Sequence, residues 1–229
     1  LHKWDSICIS VVTIHVVRVF NVFLISAVSV PTGVSIRGSG GRIKFVLGST
    51  ICGLNLNGWS SVVDTEFDIS GADFLGTSAA VNIAGSNVRI LNCRFEAMSA
   101  TSSASNRMNY AVRFSNTADC SECIISGNTF YRTRFGIIRQ LGTTGLANRT
   151  KITNNSFLEI SRGDGVEMNI GADVGLVISG NTFDNIIADG VTNAGIAIGI
   201  AGDGGLSGAE DAEARRFLVF GNVVRNTAM

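Results

Sequence analysis

Short runs of alternating apolar and polar residues recur along the chain, each broken by a turn pair and closed by an aromatic or aliphatic residue. Period-two alternation marks a strand with one buried face, and turn residues at regular intervals keep such strands short. The runs are Val88 to Phe95, Cys123 to Phe130, Lys151 to Phe157, Leu176 to Phe183 and Phe217 to Val224, with Phe67 one step earlier. From Phe67 to Val224 their closing residues are spaced by 28, 35, 27, 26 and 41. A unit of roughly 26 residues therefore repeats with insertions, which a solenoid carries as loops. The two long steps place those loops near Met98 to Asn109 and Asp203 to Arg216.

This repeat predicts an all-β chain, a single-stranded right-handed parallel β-helix of about six to seven coils. It would span residues 31–229 as a C-terminally truncated piece of a longer helix. Within each unit a short strand leads to a turn, and a phenylalanine then points into the stack. Asparagine at the corner tolerates the left-handed backbone of a sharp bend. Asn128, Asn155, Asn181 and Asn222 are expected one above another, with amides bonding along the stack. Phe130, Phe157 and Phe183 are expected in the core.

The first thirty residues differ in kind, being rich in valine and isoleucine and almost free of glycine. His15, Arg18 and Asn21 interrupt the apolar run, so a membrane span is not favoured. Three readings stand for residues 1–30: a signal-like leader, β-strands, or a segment of foreign origin.

Composition narrows the partners. Charged residues make up 16%, the formal net charge is zero and the isoelectric point is near 6.9. That is not the basic footprint that phosphate backbones demand, so nucleic acid is not an expected partner. The five cysteines, Cys8, Cys52, Cys93, Cys120 and Cys123, are odd in number and scattered, and read as small buried hydrophobes. One CxxC with no second pair and no nearby histidine does not make a closed zinc site. No metal and no cofactor is expected.

Aligning the second strand of successive coils by their glycines sets Val112, Ile137, Val166 and Ile196 inward. The same alignment sets Arg113, Ile138, Glu167 and Ala197 outward. A further outward column reads Ser115, Gln140, Asn169 and Gly199. Glu167 and Asn169 then face Ala197 and Gly199, and small residues beside a carboxylate and an amide leave a shallow hollow. Arg139 falls in the inward column with Phe114, Met168 and Ile198, where an unpaired guanidinium would be costly. Either that strand slips by one residue or Arg139 reaches a carboxylate such as Glu167.

The runs Phe135 to Gln140, Ser161 to Asn169, Leu176 to Ser179, Thr192 to Gly202 and Arg216 to Val219 resemble the β-helix protein of colanic acid biosynthesis clusters. Related modules occur in bacteriophage tailspikes that bind or cut capsular polysaccharide. The resemblance covers residues 135–229 well and Val34 to Phe45 more weakly. It implies a pectate-lyase-like solenoid and a carbohydrate context, and assigns no catalytic residue. Met168 and Ala194 stand where the family often carries an aromatic, which weakens the expectation of sugar stacking there.

Glycosidic hydrolysis usually takes two carboxyl groups. Glu167 with Asp164 is the expected catalytic pair, with Asp173, Glu159 and Asp189 nearby in sequence. Asn169, Arg113, Arg139, Gln140 and Asp189 are the expected substrate-binding residues. A lyase would need a base and a group to neutralise a uronate, a part open to Arg113 or Arg139. Asp164 between two glycines also fits a plain turn residue.

Three function classes follow. A tailspike-like module for capsular polysaccharide or exopolysaccharide predicts oligosaccharide release, a homotrimer, and a place outside the cell or on a virion surface. An exopolysaccharide-biosynthesis accessory protein predicts a periplasmic place and no hydrolytic activity. A structural or adhesive solenoid predicts neither activity nor glycan affinity.

Overall fold

The computed structural model describes residues 12–17, 21–24, 27–39, 41–45, 52–70, 72, 78–97, 110–140, 145–160, 163–170, 174–187, 195–202 and 217–226. Every strand pairing in it is parallel, and the strands fall into three sheets of eight, eight and seven members. The chain visits the sheets in rotation and adds one strand to each per coil, forming a parallel β-solenoid. The first sheet begins at Val12–Val17, the second at Asn21–Leu24 and the third at Val28–Val30. Those three strands pair with Val34–Ser39, Arg42–Phe45 and Leu54–Leu56 of the next coil. The insertions expected at 98–109 and 203–216 lie outside the described residues, as does Cys8.

The register between coils follows the repeat read from the sequence. Phe67, Phe95, Phe130, Phe157, Phe183 and Val224 are partners in turn along the second sheet. The five rings stack nearly parallel, with centroids 4.7, 5.1, 4.7 and 4.6 Å apart. Each is at most 1% exposed, so the column forms the spine of the core. Burying a ring of this size is worth roughly 2–3 kcal/mol, and stacking adds to that.

A second column runs between the first and second sheets. Asn128 Nδ2 donates to Asn155 Oδ1 at 2.9 Å, Asn155 Nδ2 to Asn181 Oδ1 at 3.0 Å, and Asn181 Nδ2 to Asn222 Oδ1 at 2.9 Å. The left-handed backbone of the corner belongs to the residue before each of these asparagines. Gly127, Asn154, Gly180 and Gly221 carry φ of 70°, 55°, 64° and 62°. This corrects the expectation that the ladder asparagines themselves adopt it. Glycine takes the bend without steric cost, leaving the next residue free to aim its amide along the stack.

Cys93, Cys120 and Cys123 are buried, and burial pushes the Cys93 and Cys123 thiols up to about 12. Such thiols are packing groups rather than nucleophiles. Among the described residues no helix is long and apolar enough to cross a membrane.

Candidate functional site

The third sheet presents a polar file on its outer face. Ser29, Asn55, Asn82, Arg113, Ile138, Glu167 and Gly199 are successive partners across seven coils. Rungs of a parallel sheet lie about 4.8 Å apart, so the file runs along the solenoid axis. The residues on either side of it, such as Leu54, Leu56, Val81, Ile83, Val112 and Val166, are buried. Alternation turns these positions away from the core, but Arg113 and Ile138 are themselves buried, so Ser29, Asn55, Asn82, Glu167 and Gly199 are the members of the file that keep exposed surface.

At one end of the file stand two carboxyl groups. Glu167 is partly buried, and its Oε1 accepts a hydrogen bond from Asn169 Nδ2 at 2.9 Å. The same amide donates to the Arg139 carbonyl at 2.9 Å, which ties Glu167 to the neighbouring rung. Asp164 is 7% exposed, and its Oδ1 accepts from the backbone N–H groups of Gly195 at 3.0 Å and Ile196 at 2.8 Å. Its Oδ2 lies 3.7 Å from where a β-carbon at Gly199 would stand. Gly199 is the rung partner of Glu167, so both acids border the hollow that this glycine leaves.

Both acids are displaced upward. Burial raises the Asp164 carboxyl above its ordinary range, against the pull of its two N–H donors. Burial likewise raises Glu167, opposed by the Asn169 hydrogen bond and reinforced by the charge of Asp164. In each case loss of water around the carboxyl favours its protonated form.

Arg113 lies two rungs away and is fully buried. Its Nη2 donates to Gln140 Oε1 at 2.8 Å and to Asn116 Oδ1 at 3.1 Å. The structure thus joins Arg113 to Gln140 and Glu167 to Asn169, with Ile138 between the two groups. Arg139 keeps the inward register, paired with Met168, and the strand does not slip. It is 1% exposed, and its Nη2 donates to the Gly145 carbonyl in the following turn. Glu159 belongs to another face, where its Oε2 accepts from Arg132 Nε at 2.7 Å. Asp173 and Asp189 lie outside the described residues.

One expected register is corrected. Val166 is partnered by Ile198, two residues beyond the expected Ile196, which is 47% exposed. The cause is Asp164, whose carboxylate captures residues 195 and 196 as a turn and lets the strand begin only at Ile198–Gly202. Because the shift is even, the facing alternation is kept, and Gly199 in place of Ala197 is the rung partner of Glu167. Asn55 and Asn82 were not among the expected site residues. Asn82 Nδ2 donates to Asn55 Oδ1 at 3.0 Å, and both sit between buried aliphatics 27 residues apart, the repeat spacing that could have found them.

Among the described residues no group of three His, Cys, Asp or Glu side chains could hold a metal ion. No family model matches the chain, and no curated protein matches it by sequence.

Proposed function

We propose that the outer face of the third sheet binds a polysaccharide chain along the solenoid axis and cleaves it at Glu167 and Asp164. The observation that carries this reading is that Asp164, buried, and Glu167, partly buried, both stand beside Gly199, on the face that carries the Asn55 and Asn82 amides. Glycoside hydrolysis needs a carboxyl group that keeps its proton and a second that is ionised. Glu167, the more accessible of the two, donates its proton to the glycosidic oxygen. Asp164, whose two backbone N–H donors oppose the upward pull of burial, supports the positive charge developing at the anomeric carbon. Water then adds to that carbon and returns its proton to Glu167. Asn169 positions Glu167, and Asn55, Asn82, Gln140 and Asn116 offer the amide chemistry that sugar hydroxyls take up.

The ligand class is capsular polysaccharide or exopolysaccharide, consistent with the resemblance to tailspike modules. Under this reading the protein works outside the cell or at a virion surface, as a homotrimer. A second reading, an accessory protein of exopolysaccharide assembly that binds without cutting, is favoured by the double backbone bond of Asp164 Oδ1, a plain structural staple.

The test is to incubate the protein with a panel of acidic and neutral exopolysaccharides, reading products by mass and by absorbance of unsaturated uronate. Cleavage that is lost in Glu167→Gln supports hydrolysis at this site. Undiminished cleavage by that variant would falsify the assignment, and affinity without products selects the accessory reading.

A further inference from the structure

The first sheet carries a separate groove on its own outer face. It has a volume of about 400 Å³ and is lined by Asn87, Arg89, Glu122, Ile124, Arg149, Lys151 and Gly175. Arg89, Ile124 and Lys151 are partners on three successive rungs. The two cations therefore stand two rungs apart, about 9.6 Å along the axis, with an aliphatic floor between them. Arg149 is already neutralised, its Nε donating to Glu122 Oε1 at 3.1 Å. Arg89 and Lys151 are exposed, and neither side chain makes an ion pair or hydrogen bond among the described residues.

Next to this file runs another of hydroxyls. Ser126, Thr153 and Ser179 are successive partners, and Thr153 Oγ1 donates to Ser126 Oγ at 3.1 Å. The face thus offers two cations that make no ion pair among the described residues, at a spacing comparable to a disaccharide, with Ile124 between them and a file of hydroxyls alongside.

We propose that this groove is a binding site for an acidic polysaccharide whose carboxylates or sulfates meet Arg89 and Lys151 in turn. A nucleic acid would supply anions too, but no aromatic side chain among the lining residues could stack its bases. A chain laid along the axis places successive anions over the two cations and its hydroxyls against the serine and threonine file. The site makes no use of Glu167 or Asp164 and shares with the function proposed above only the class of ligand. It would hold a long chain while another part of it reaches the third sheet.

The probes are polygalacturonate, dextran of matched size and a single-stranded DNA oligonucleotide, with binding measured by affinity electrophoresis at two ionic strengths. Polygalacturonate is expected to bind, more weakly at high salt, and dextran is not. In Arg89→Gln/Lys151→Gln, affinity should fall at least about tenfold because two charge-assisted contacts are lost. Lys151→Arg should retain it, and Arg225→Gln, which removes an exposed cation from the second sheet, should bind as wild type does. Because the readout is binding to the intact chain and not product release, failure of this groove is distinguishable from failure of the cleavage site. Equal binding by the double glutamine variant, or tighter binding of the oligonucleotide than of polygalacturonate, overturns the proposal.

Discussion

Asn155 Oδ1 accepts two hydrogen bonds from one residue, the backbone N–H of Asn128 at 3.0 Å and its Nδ2 at 2.9 Å. Asn155 Nδ2 donates to the Ile125 carbonyl at 3.0 Å as well as to Asn181. Asn155→Ala leaves several buried polar groups without partners at once, each worth about 1–3 kcal/mol. The variant should lose about 3 kcal/mol or more of stability in urea unfolding. Asn222→Ala, at a half-buried corner, should lose clearly less. Equal losses would show that the ladder does not act through burial.

Phe157 sits between Phe130 and Phe183 with no exposed surface. Truncation to alanine removes two stacking contacts and opens a cavity that parallel rungs cannot close by collapse. Phe157→Ala should cost about 3–5 kcal/mol, with Phe157→Leu costing less because it refills part of the space. Val224→Ala, where the column is 50% exposed, should change the unfolding midpoint only slightly. Thermal unfolding of the three variants side by side tests that ranking.

The two internal columns could be read from the sequence because each coil contributes one residue of fixed type at a fixed distance from its turn. Insertions do not disturb that, so Phe95 and Phe130 pair despite their 35-residue step. The outer faces were harder to read, since they carry no repeated residue type. The last strand of the third sheet lies two residues beyond the register that its glycines predict, because the Asp164 carboxylate sets Gly195 beside Gly163. Arg89 and Lys151 share a file although 62 residues separate them, a sum of two unequal coils that shows no period. Arg139 kept its inward register because the turn supplies the Gly145 carbonyl, a backbone partner that side-chain patterns do not reveal.

The acids make opposite predictions for pH. The Glu167 carboxyl is raised by burial, so folding favours its protonated form and wild type loses stability as pH climbs through the carboxylate range. Glu167→Gln removes that penalty, and its stability relative to wild type should grow from acid to neutral pH. Asp68 is the converse: burial pushes it up, but its hydrogen bonds with Ser70 and the charge of Lys44 outweigh that and hold it low. Its contribution is present above the ordinary aspartate range and is lost as pH falls through the lowered value. Asp68→Asn should therefore be destabilised at neutral pH and close to wild type in acid. Parallel urea titrations across that range measure both slopes, and slopes of the same sign would refute the assignment of the two environments.

Gly199 tests the hollow without touching either acid. A β-carbon there would meet Asp164 Oδ2 at 3.7 Å and Ile196 Cγ2 at 3.9 Å, ordinary contacts that a side chain can make without moving the backbone. Its φ is not in the left-handed region, so no strain opposes substitution. Gly199→Ala should fold and act as wild type does. Gly199→Trp should keep its unfolding temperature within a few degrees, because the ring lies on the outer face, while covering the space between Glu167 and Asp164. With a cleavable polysaccharide in hand, that variant should lose most of its kcat/KM, and binding in the first-sheet groove should be untouched. A tryptophan variant that still cuts at the wild-type rate would place the chemistry elsewhere on the solenoid, since no sugar ring could then reach the pair.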